Sequence, residues 1–392
     1  MPGTVLTLNA GSSSLKFSVF DGLREVLRGQ VSGIGTHPQA EAKKDGRHLD
    51  APALHGTTHE DFLPGLLDWI GGHLDGTAIA AAGHRVVHGG TEFMAPVRVT
   101  DEVIAALEAL VPLAPLHQPH NIAAIRAVAK ARPDLPQAAC FDTAFHGTMP
   151  EVATWLALPR AMRNAGMRRY GFHGLSYEFI AGRLRELAPG LAAVRVLVAH
   201  LGNGASLCAM RDGRSLDTTM GFTALDGLMM ATRCGSLDPG AVLYLMQSRG
   251  MSADELEDVL YHGSGLLGVS GLSGDMRDLA GSGDPRAQEA IDLFVYRIVG
   301  CAGGLIAGMG GLDGIVFTAG IGEHDPAVRA AVCAGLSWLG LALDDAANAA
   351  GGTARISTPG SRVEAWVIPT DEEAVIARHT LAVLAQEPGR NG

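Results

Sequence analysis

Two arginines of this sequence stand in stretches that otherwise carry little charge. Arg85 lies in the apolar run GHRVV, just before a double glycine, and Arg233 is the only basic residue of residues 216–240. A guanidinium binds carboxylate or phosphate through paired hydrogen bonds, and one placed among apolar residues needs a partner. A bound anion would be that partner, and a surface charge is the alternative for Arg85.

Two further polar residues accompany them. Asp142 follows the apolar run QAACF, and His173 stands between two glycines in the segment YGFHG. The carboxyl end of a buried strand is where α/β sheets place their reactive groups, although a capping or turn acid would occupy the same position. His173 could equally be a polar residue with a structural hydrogen bond.

Three consecutive acids, Asp371, Glu372 and Glu373, follow the last apolar strand and begin the final helical segment. Acids at a helix N-terminus complement the helix dipole, which is one reading of this cluster. Carboxylate oxygens are also the ligands that Mg²⁺ prefers, so the second reading is a magnesium site.

The N-terminal stretch TVLTLNAGSSSLKFSVF predicts a β-hairpin with an unusual turn. Asn9, Gly11, three serines and Lys16 surround the turn, and Ser12 and Ser14 supply hydroxyl groups. Small residues let backbone N–H groups approach an anion, and a lysine adds positive charge. The turn therefore predicts a phosphate cradle, with an ordinary polar turn as the alternative.

A similar hairpin recurs half a chain later, in LVAHLGNGASLC at residues 197–208. Each hairpin's second strand runs toward an Asp-Gly pair, a dipeptide typical of tight hairpin turns. A repeat at this spacing indicates a duplicated domain. A third glycine-rich segment, GIVFTAGIGEHD, predicts a buried strand and a turn against which a nucleotide could lie.

Composition limits the function classes. The chain has 392 residues, 47% of them hydrophobic, and a net charge of −11. This length suits two domains, this hydrophobic content excludes a disordered chain, and the negative charge argues against a nucleic-acid partner. We expect no secretory leader and no membrane span, since no apolar run reaches the ~18 residues of a span. We also expect no disulfide framework or zinc site, since the five cysteines form no CxxC pair. These expectations together predict a cytoplasmic protein.

The elements that position these residues read as alternating strands and helices. Residues 37–60 are polar and predict a loop-rich surface insertion, in which His55 and His59 lack further ligands for a metal site. The predicted fold class is α/β, with two duplicated domains and a cleft between them. We place the domains at residues 1–150, completed by the C-terminal helix 371–392, and at 151–370.

The chain resembles the acetokinase family of the sugar kinase, actin and Hsp70 superfamily nearly end to end, most weakly over residues 37–60. The motifs that carry the resemblance include NAGSSSLKF, GHRVVHGG, FDTAFH, YGFHG, HLGNGAS, TRCG, SGDMRD, FTAGIGE and IPTDEE. The resemblance implies actin-like, ribonuclease H-like domains, each a mixed five-stranded sheet flanked by helices. It also implies reversible transfer of the ATP γ-phosphoryl group to acetate, giving acetyl phosphate and ADP. It also implies Mg²⁺ as cofactor, with Mn²⁺ as an alternative, and a homodimer.

Matched motif by motif, the resemblance implies a role for each candidate residue. The implied catalytic residues are Asp142, His173 and Arg233. Acetate binding falls to Arg85, Val87, Leu116 and Phe172. Magnesium binding falls to Asn9 and Glu372. ATP binding falls to Lys16, Ser12, Ser14, His200, Leu201, Gly202, Asn203, Gly204, Asp275, Met276, Arg277, Gly320, Ile321, Gly322, Glu323 and His324.

The chain departs from the family pattern at several positions. Tyr177 replaces a histidine, Ala224 replaces a proline after GFT, and Ala231 replaces a glycine. The alanines put acyl-chain selectivity in doubt, so a kinase of propionate or another short-chain acid stays an alternative. A sugar kinase would need an acidic base beside a hydroxyl, and a binding module of the Hsp70 or actin type would lack the two arginines.

Overall fold

A computed structural model describes residues 3–386. The chain divides into two compact units: the first comprises the residues up to Phe145 together with those from Asp371, and the second is His146–Thr370. Each unit is built around its own β-sheet.

The first unit contains a mixed sheet in the order β5-β4-β3-β2-β1-β6-β8-β7. Its strands are β1 Thr4–Ala10, β2 Ser14–Asp21, β3 Arg24–Ser32, β4 Gln39–Lys44, β5 Arg47–Leu49, β6 Ile79–Val86, β7 Val97–Arg98 and β8 Gln137–Phe141. Its helices are α1 His59–Gly72, α2 Asp101–Ala109, α3 Gln118–Ala131 and the C-terminal helix Glu372–Ala385. Strands β1, β6 and β8 run parallel to one another, while β2 and β3 are antiparallel to their neighbours.

Burial explains why these strands form. In β1 every residue but Asn9 is buried, so this strand lies at the centre of the unit. Phe17 and Val19 of β2 pack with helix α1, whose Phe62 and Leu66 are also buried. Burying a large apolar side chain contributes about 1.5–3 kcal/mol, so this cluster stabilises the sheet.

The segment 37–60, predicted to be loop-rich, is instead partly regular. Strands β4 and β5 form a hairpin that extends the sheet beyond β3. Asp45 and Gly46 connect them with φ of 45° and 79°. Positive φ at both turn residues is typical of the tight hairpin turn that Asp-Gly favours, so this dipeptide was the signal that the prediction missed.

The second unit has a sheet in the order β11-β10-β9-β12-β14-β13. Its strands are β9 Arg195–Leu201, β10 Ala205–Arg211, β11 Arg214–Thr218, β12 Gly314–Thr318, β13 Ala354–Arg355 and β14 Glu364–Val367. Its helices are α4 Arg160–Asn164, α5 Gly174–Leu187, α6 Pro189–Ala192, α7 Pro239–Gln247, α8 Ala253–Tyr261, α9 Gly265–Ser270, α10 Met276–Ala280, α11 Pro285–Met309, α12 Ala319–His324, α13 Pro326–Gly335 and α14 Asp345–Ala350. Short 3₁₀ helices cover Val111–Leu113, Ala144–Thr148, Glu151–Thr154 and Ser337–Leu339.

The two sheets share one topology. The order β3-β2-β1-β6-β8 corresponds to β11-β10-β9-β12-β14, with the first three strands antiparallel and the last three parallel. This confirms the predicted α/β class with a repeated mixed sheet. Within residues 3–386, however, the sheets hold eight and six strands rather than five, because β4, β5 and β7 widen the first and β13 the second.

Helix α11 bears on the expectation that the chain has no membrane span. Over residues 3–386 it is the one helix long and apolar enough to cross a membrane, with a mean hydropathy of 1.6 over its best window. Its buried residues, among them Phe294, Ile298, Ala302 and Leu305, recur at helical spacing, as in a helix that packs on a globular core. A single such helix is weak evidence for a membrane span.

Candidate active site

The first unit brings three predicted site residues to one edge of its sheet. Asn9, Arg85 and Asp142 lie at the carboxyl ends of β1, β6 and β8, which are adjacent and parallel. In α/β sheets this edge is where ligands bind, because the strands end there and leave their side chains open to the loops. The three residues are far apart in sequence, and the parallel pairing alone makes them neighbours.

Arg85 is the centre of this cluster. Its Nε and Nη2 donate to Oδ2 of Asp142 at 3.0 and 2.5 Å, and its Nη1 donates to Oδ1 of Asn9 at 3.2 Å. The other carboxylate oxygen of Asp142, Oδ1, is buried and has no hydrogen-bond partner. A guanidinium has five N–H groups, so the contacts described leave two of them for a further anion.

Glu372 joins the cluster from the C-terminal helix. Its Oε2 accepts from Asn9 Nδ2 at 3.3 Å and lies 3.9 Å from Arg85 Nε. Burial raises the pKa of Glu372 to about 7, and the charges of Asp142 and Glu373 act in the same direction, against Arg85 and Lys16. Burial would lower the pKa of Arg85, but Asp142 and Glu372 outweigh it and the net shift is upward. The cluster thus has more negative charge than Arg85 alone can balance.

This arrangement fits a divalent cation. Within residues 3–386 no group of three or more His, Cys, Asp or Glu side chains forms a complete metal site. The unpartnered Oδ1 of the buried Asp142 and the raised pKa of the partly buried Glu372 nevertheless mark two carboxylates that a cation would stabilise. Such a donor set, completed by water and phosphate oxygens, is typical of magnesium in phosphoryl-transfer enzymes.

The predicted phosphate turn is a hairpin turn beside this cluster. Lys16 stands directly opposite Asn9 in the β1–β2 ladder and is exposed, as is Ser12. The turn is closed by a hydrogen bond from Gly11 N to Ser14 O at 2.7 Å.

Asn121 of α3, which the sequence reasoning missed, anchors this turn. Its Nδ2 donates to Ala10 O at 2.7 Å, and its Oδ1 accepts from Val87 N at 2.9 Å. A single amide thus ties the turn to the end of β6. Val87 is fully buried and Leu116, in the loop before α3, is half-buried.

In the second unit, the turn after β9 brings together two catalytic candidates. A Cβ built at Gly204 would lie 3.1 Å from His173 Nε2 and 3.2 Å from Arg233 Nη2. Both side chains therefore lie close to the Cα of Gly204. A glycine at this position leaves room for them, because it has no Cβ. Arg233 also donates from Nη1 to Ala224 O at 2.7 Å.

His173 has an unusual backbone. Its φ is 60°, in the left-handed region, where it caps the start of α5. Non-glycine residues adopt this conformation at a cost and persist in it mainly where the surrounding structure requires it. Its ring stacks on His200, with centroids 4.1 Å apart. Phe172, just before it, is buried and accepts at its carbonyl from His146 Nε2 at 2.9 Å.

The nucleotide candidates of this unit are also neighbours. A Cβ at Gly202 would lie 3.5 Å from the Ala319 side chain and 3.8 Å from Gly320 N, so the β9 turn and the start of α12 adjoin. Gly274 approaches Ala231 O and the Ala231 methyl group, at 3.0 and 3.6 Å from a built Cβ. The methyl of Ala231 thus faces the segment that leads to Asp275, the N-cap of α10.

The remaining ATP-binding candidates differ in exposure and in the hydrogen bonds that they make within the protein. Asp275 accepts from Arg277, whose side chain is 89% exposed and available to a ligand. Glu323 Oε1 accepts from the backbone of Ala319 and of Thr370, at 2.8 and 3.1 Å. We read Glu323 as a residue that holds the backbone after β12, where Ala319 has a φ of 64°. His324 is exposed, and Leu201 and Met276 are buried.

Known proteins resemble this chain over almost its whole length. The model of the acetokinase family matches residues 4–378. An acetate kinase of Rhodopseudomonas palustris is 55% identical over 389 residues, which is 97% of this chain and 98% of that protein. An acetate kinase of Rhizobium meliloti is 50% identical over the same shares.

Solved structures agree with these sequences. The crystal structure of Porphyromonas gingivalis acetate kinase matches with a TM-score of 0.85 and 37% identity, covering 97% of this chain and all of that one. A propionate kinase from Francisella tularensis matches with a TM-score of 0.89 and 36% identity, covering 96% and 98%.

Proposed function

The chain belongs to the acetokinase family, and from this premise we propose how its own residues transfer a phosphoryl group from ATP to acetate. The observation that carries the proposal is the pair of the partly buried Arg85 with the buried Asp142 at the ends of parallel strands, beside the hairpin turn with Lys16. Arg85 and Lys16 supply positive charge near these strand ends, and a carboxylate kinase requires such charge where its anionic substrates bind.

The nucleophile needs no base. A short-chain carboxylic acid has a pKa near ~4, so acetate is ionised at neutral pH and one of its oxygens attacks the γ-phosphorus directly. We therefore assign Asp142 to holding Arg85 and a metal rather than to proton transfer. The obstacle is the repulsion between an anion and the phosphates of ATP.

Positive charge and hydrogen-bond donors lower this barrier. We propose that Arg85 binds the acetate carboxylate through N–H groups that Asp142 leaves unused, while Val87, Leu116 and Phe172 receive the methyl group. Arg233 and His173 donate to the equatorial oxygens of the transferred phosphoryl group. An arginine aimed at this transition state contributes on the order of 10³-fold or more to the rate.

The family implies ATP as co-substrate together with a divalent metal. We propose Mg²⁺, held by Glu372 and Asp142 with Asn9 orienting Glu372; Mn²⁺ would fit the same donors. When bound, the ion neutralises charge on the phosphate oxygens. We assign ATP contacts to Lys16, to the residues 200–204, to Asp275 and Arg277, and to the start of α12.

The test is trapping of the acyl phosphate by hydroxylamine with acetate, ATP and Mg²⁺. We expect hydroxamate formation that depends on all three, and loss of it in Arg233→Ala with a normal circular dichroism spectrum. Arg249→Ala, on the exposed surface of the same unit, is the matched control and should keep the activity. Hydroxamate at the wild-type rate in Arg233→Ala would refute the role of this arginine.

Propionate is the second candidate substrate. The structural likeness to a propionate kinase and the replacement of proline by Ala224 both favour it. Acetate stays the main proposal, since the relatives of highest identity described above carry that activity in their names.

We also propose that the protein is a cytoplasmic homodimer. Helix α7 has no buried residue, and its Leu243 and Tyr244 are more than half exposed. Tyr296 on α11 is 74% exposed. Such a concentration of apolar surface on one unit favours a second copy of the chain as its cover. Light scattering after gel filtration would test this, and Tyr244→Glu should yield monomers if the surface is right.

A further inference from the structure

A chain of buried hydrogen bonds ends on the imidazole of His173. Tyr177 Oη lies 2.5 Å from Ser206 Oγ, and Ser206 Oγ lies 2.8 Å from His173 Nδ1. Tyr177 and Ser206 are both fully buried. Tyr177 follows His173 by one turn of α5, and its N–H donates to His173 O at 3.0 Å, so the two side chains emerge on the same side of the helix.

The direction of these hydrogen bonds follows from the chemistry of the groups. Burial raises the pKa of Tyr177 well above its ordinary value, so the side chain stays a phenol with a proton to donate. A phenol is a stronger donor than an aliphatic alcohol, and a serine hydroxyl can accept one hydrogen bond while it donates another. Ser206 then accepts from Tyr177 and keeps its own proton to donate, and we infer that it donates this proton to Nδ1 of His173.

The other ring nitrogen faces the site. Nε2 of His173 points to Gly204, beside Arg233 Nη2. When Nδ1 accepts a hydrogen bond, a neutral imidazole carries its proton on Nε2. A neutral His173 in this tautomer is a hydrogen-bond donor on the side where Arg233 also donates.

We propose that Tyr177 is a positioning residue that acts through Ser206 to fix His173 in its Nε2–H tautomer, so that this nitrogen donates to an oxygen of the transferred phosphoryl group. The inference rests on the proposed function of His173 and deepens it. The family pattern implied by the resemblance has a histidine at position 177, which can either donate or accept. A phenol at this position donates, and so it selects one tautomer of its neighbour.

The test reads the tautomer directly. In protein labelled with ¹⁵N-histidine, the signals of His173 are assigned by their loss in His173→Gln. We expect a protonated Nε2 and an unprotonated Nδ1 in wild type, and a mixture of tautomers in Tyr177→Phe. Losing one oriented hydrogen bond should lower kcat by about tenfold while the KM values for acetate and ATP change less than about twofold. Tyr177→His, the family residue, should restore most of kcat.

Tyr170→Phe is the matched control, because it removes another tyrosine hydroxyl of the same unit, one that donates to Gly166 O at 2.9 Å. It should leave the His173 signals unchanged. Should Tyr177→Phe fold poorly, Ser206→Ala interrupts the same chain and should give the same mixture.

An unchanged ¹⁵N spectrum in both Tyr177→Phe and Ser206→Ala would overturn the inference, and so would an Nδ1-protonated wild type. The proposed function fails separately: a His173→Gln variant that keeps wild-type kcat would remove the catalytic role of His173, whatever its tautomer.

Discussion

Arg85 donates twice to a single oxygen of Asp142 and leaves the other oxygen of that carboxylate buried without a partner. A carboxylate held in this way is asymmetric. One side fixes the orientation of the guanidinium, and the other side is available to a cation. This relationship favours a structural and metal-linked role for Asp142 over proton transfer.

Replacing Asp142 by asparagine tests that role. The change keeps the shape and removes the charge, so we expect a large loss of kcat and a higher Mg²⁺ concentration for half-maximal rate. The measurement is a Mg²⁺ titration of the initial rate in wild type and variant. An unchanged Mg²⁺ dependence with a lower rate would favour proton transfer.

The buried ion pair makes Arg85→Ala a poor test of catalysis alone. Removing one partner of such a pair leaves an uncompensated charge and destabilises by about 3–5 kcal/mol. Arg85→Lys keeps the charge and loses the planar fork, so we expect a strongly reduced kcat/KM for acetate with a smaller loss of stability. Thermal unfolding and kinetics measured together separate the two effects. Similar losses of stability in the lysine and alanine variants would contradict this expectation.

Adding a single methyl group at Gly204 tests whether the positions of His173 and Arg233 matter for catalysis. Its Cβ would lie 3.1 Å from His173 and 3.2 Å from Arg233, which is closer than side chains normally pack. Gly204→Ala should therefore displace both groups and lower kcat, while the midpoint of urea unfolding changes little. Gly300→Ala in α11 has open space around the added methyl and should leave kcat unchanged. Equal kcat values in the two variants would show that the close approach of His173 and Arg233 to Gly204 does not affect catalysis.

Selectivity among short acids depends on the position of Ala224. Where the family pattern has proline, the smaller side chain should favour propionate modestly, because one buried methylene contributes about 0.8 kcal/mol. The methyl of Ala231 faces Gly274 and is not expected to oppose this. We expect Ala224→Pro to lower the propionate-to-acetate ratio of kcat/KM by a few-fold, with butyrate poor in both proteins. Identical ratios would show that this position does not set the acyl pocket.

Stability should fall with acid, because of buried histidines. Burial lowers the pKa of His84 to about 4, although its Nε2 hydrogen-bonds to Gln137, and lowers that of His146 to about 4 as well. An unfolded histidine titrates near ~6.5, so below that pH the unfolded chain binds protons that the folded chain does not.

The contribution of these buried histidines to the free energy of unfolding is therefore fully present above about pH 6.5. It decreases as the pH falls to about 4, by at most ~1.4 kcal/mol per histidine and pH unit. Urea unfolding midpoints at about pH 7 and about pH 5 measure it. His84→Asn should show a smaller pH effect than wild type, whereas the surface variant His48→Asn should not. An equal pH effect in all three proteins would exclude His84 as a source.

The sequence alone determined the class of fold and the repeated hairpin, and it predicted which residues take part in the reaction. These features are local. A small-residue turn between apolar strands, or an arginine in an uncharged run, can be recognised from neighbouring residues without knowledge of the tertiary structure. The hairpin β4–β5 also has a local signal, the Asp-Gly pair of its turn. The prediction missed this hairpin because the residues around the turn are polar and by themselves indicate a loop.

Only the tertiary structure decided how these residues act on one another. The pairing of Arg85 with Asp142 arises from the parallel alignment of strands whose residues are 57 positions apart. The chain from Tyr177 through Ser206 to His173 joins a helix to a strand, and Asn121 ties a turn to a strand end from a third element. Such hydrogen bonds depend on atomic distances between elements, and a sequence pattern fixes only which residues each element presents.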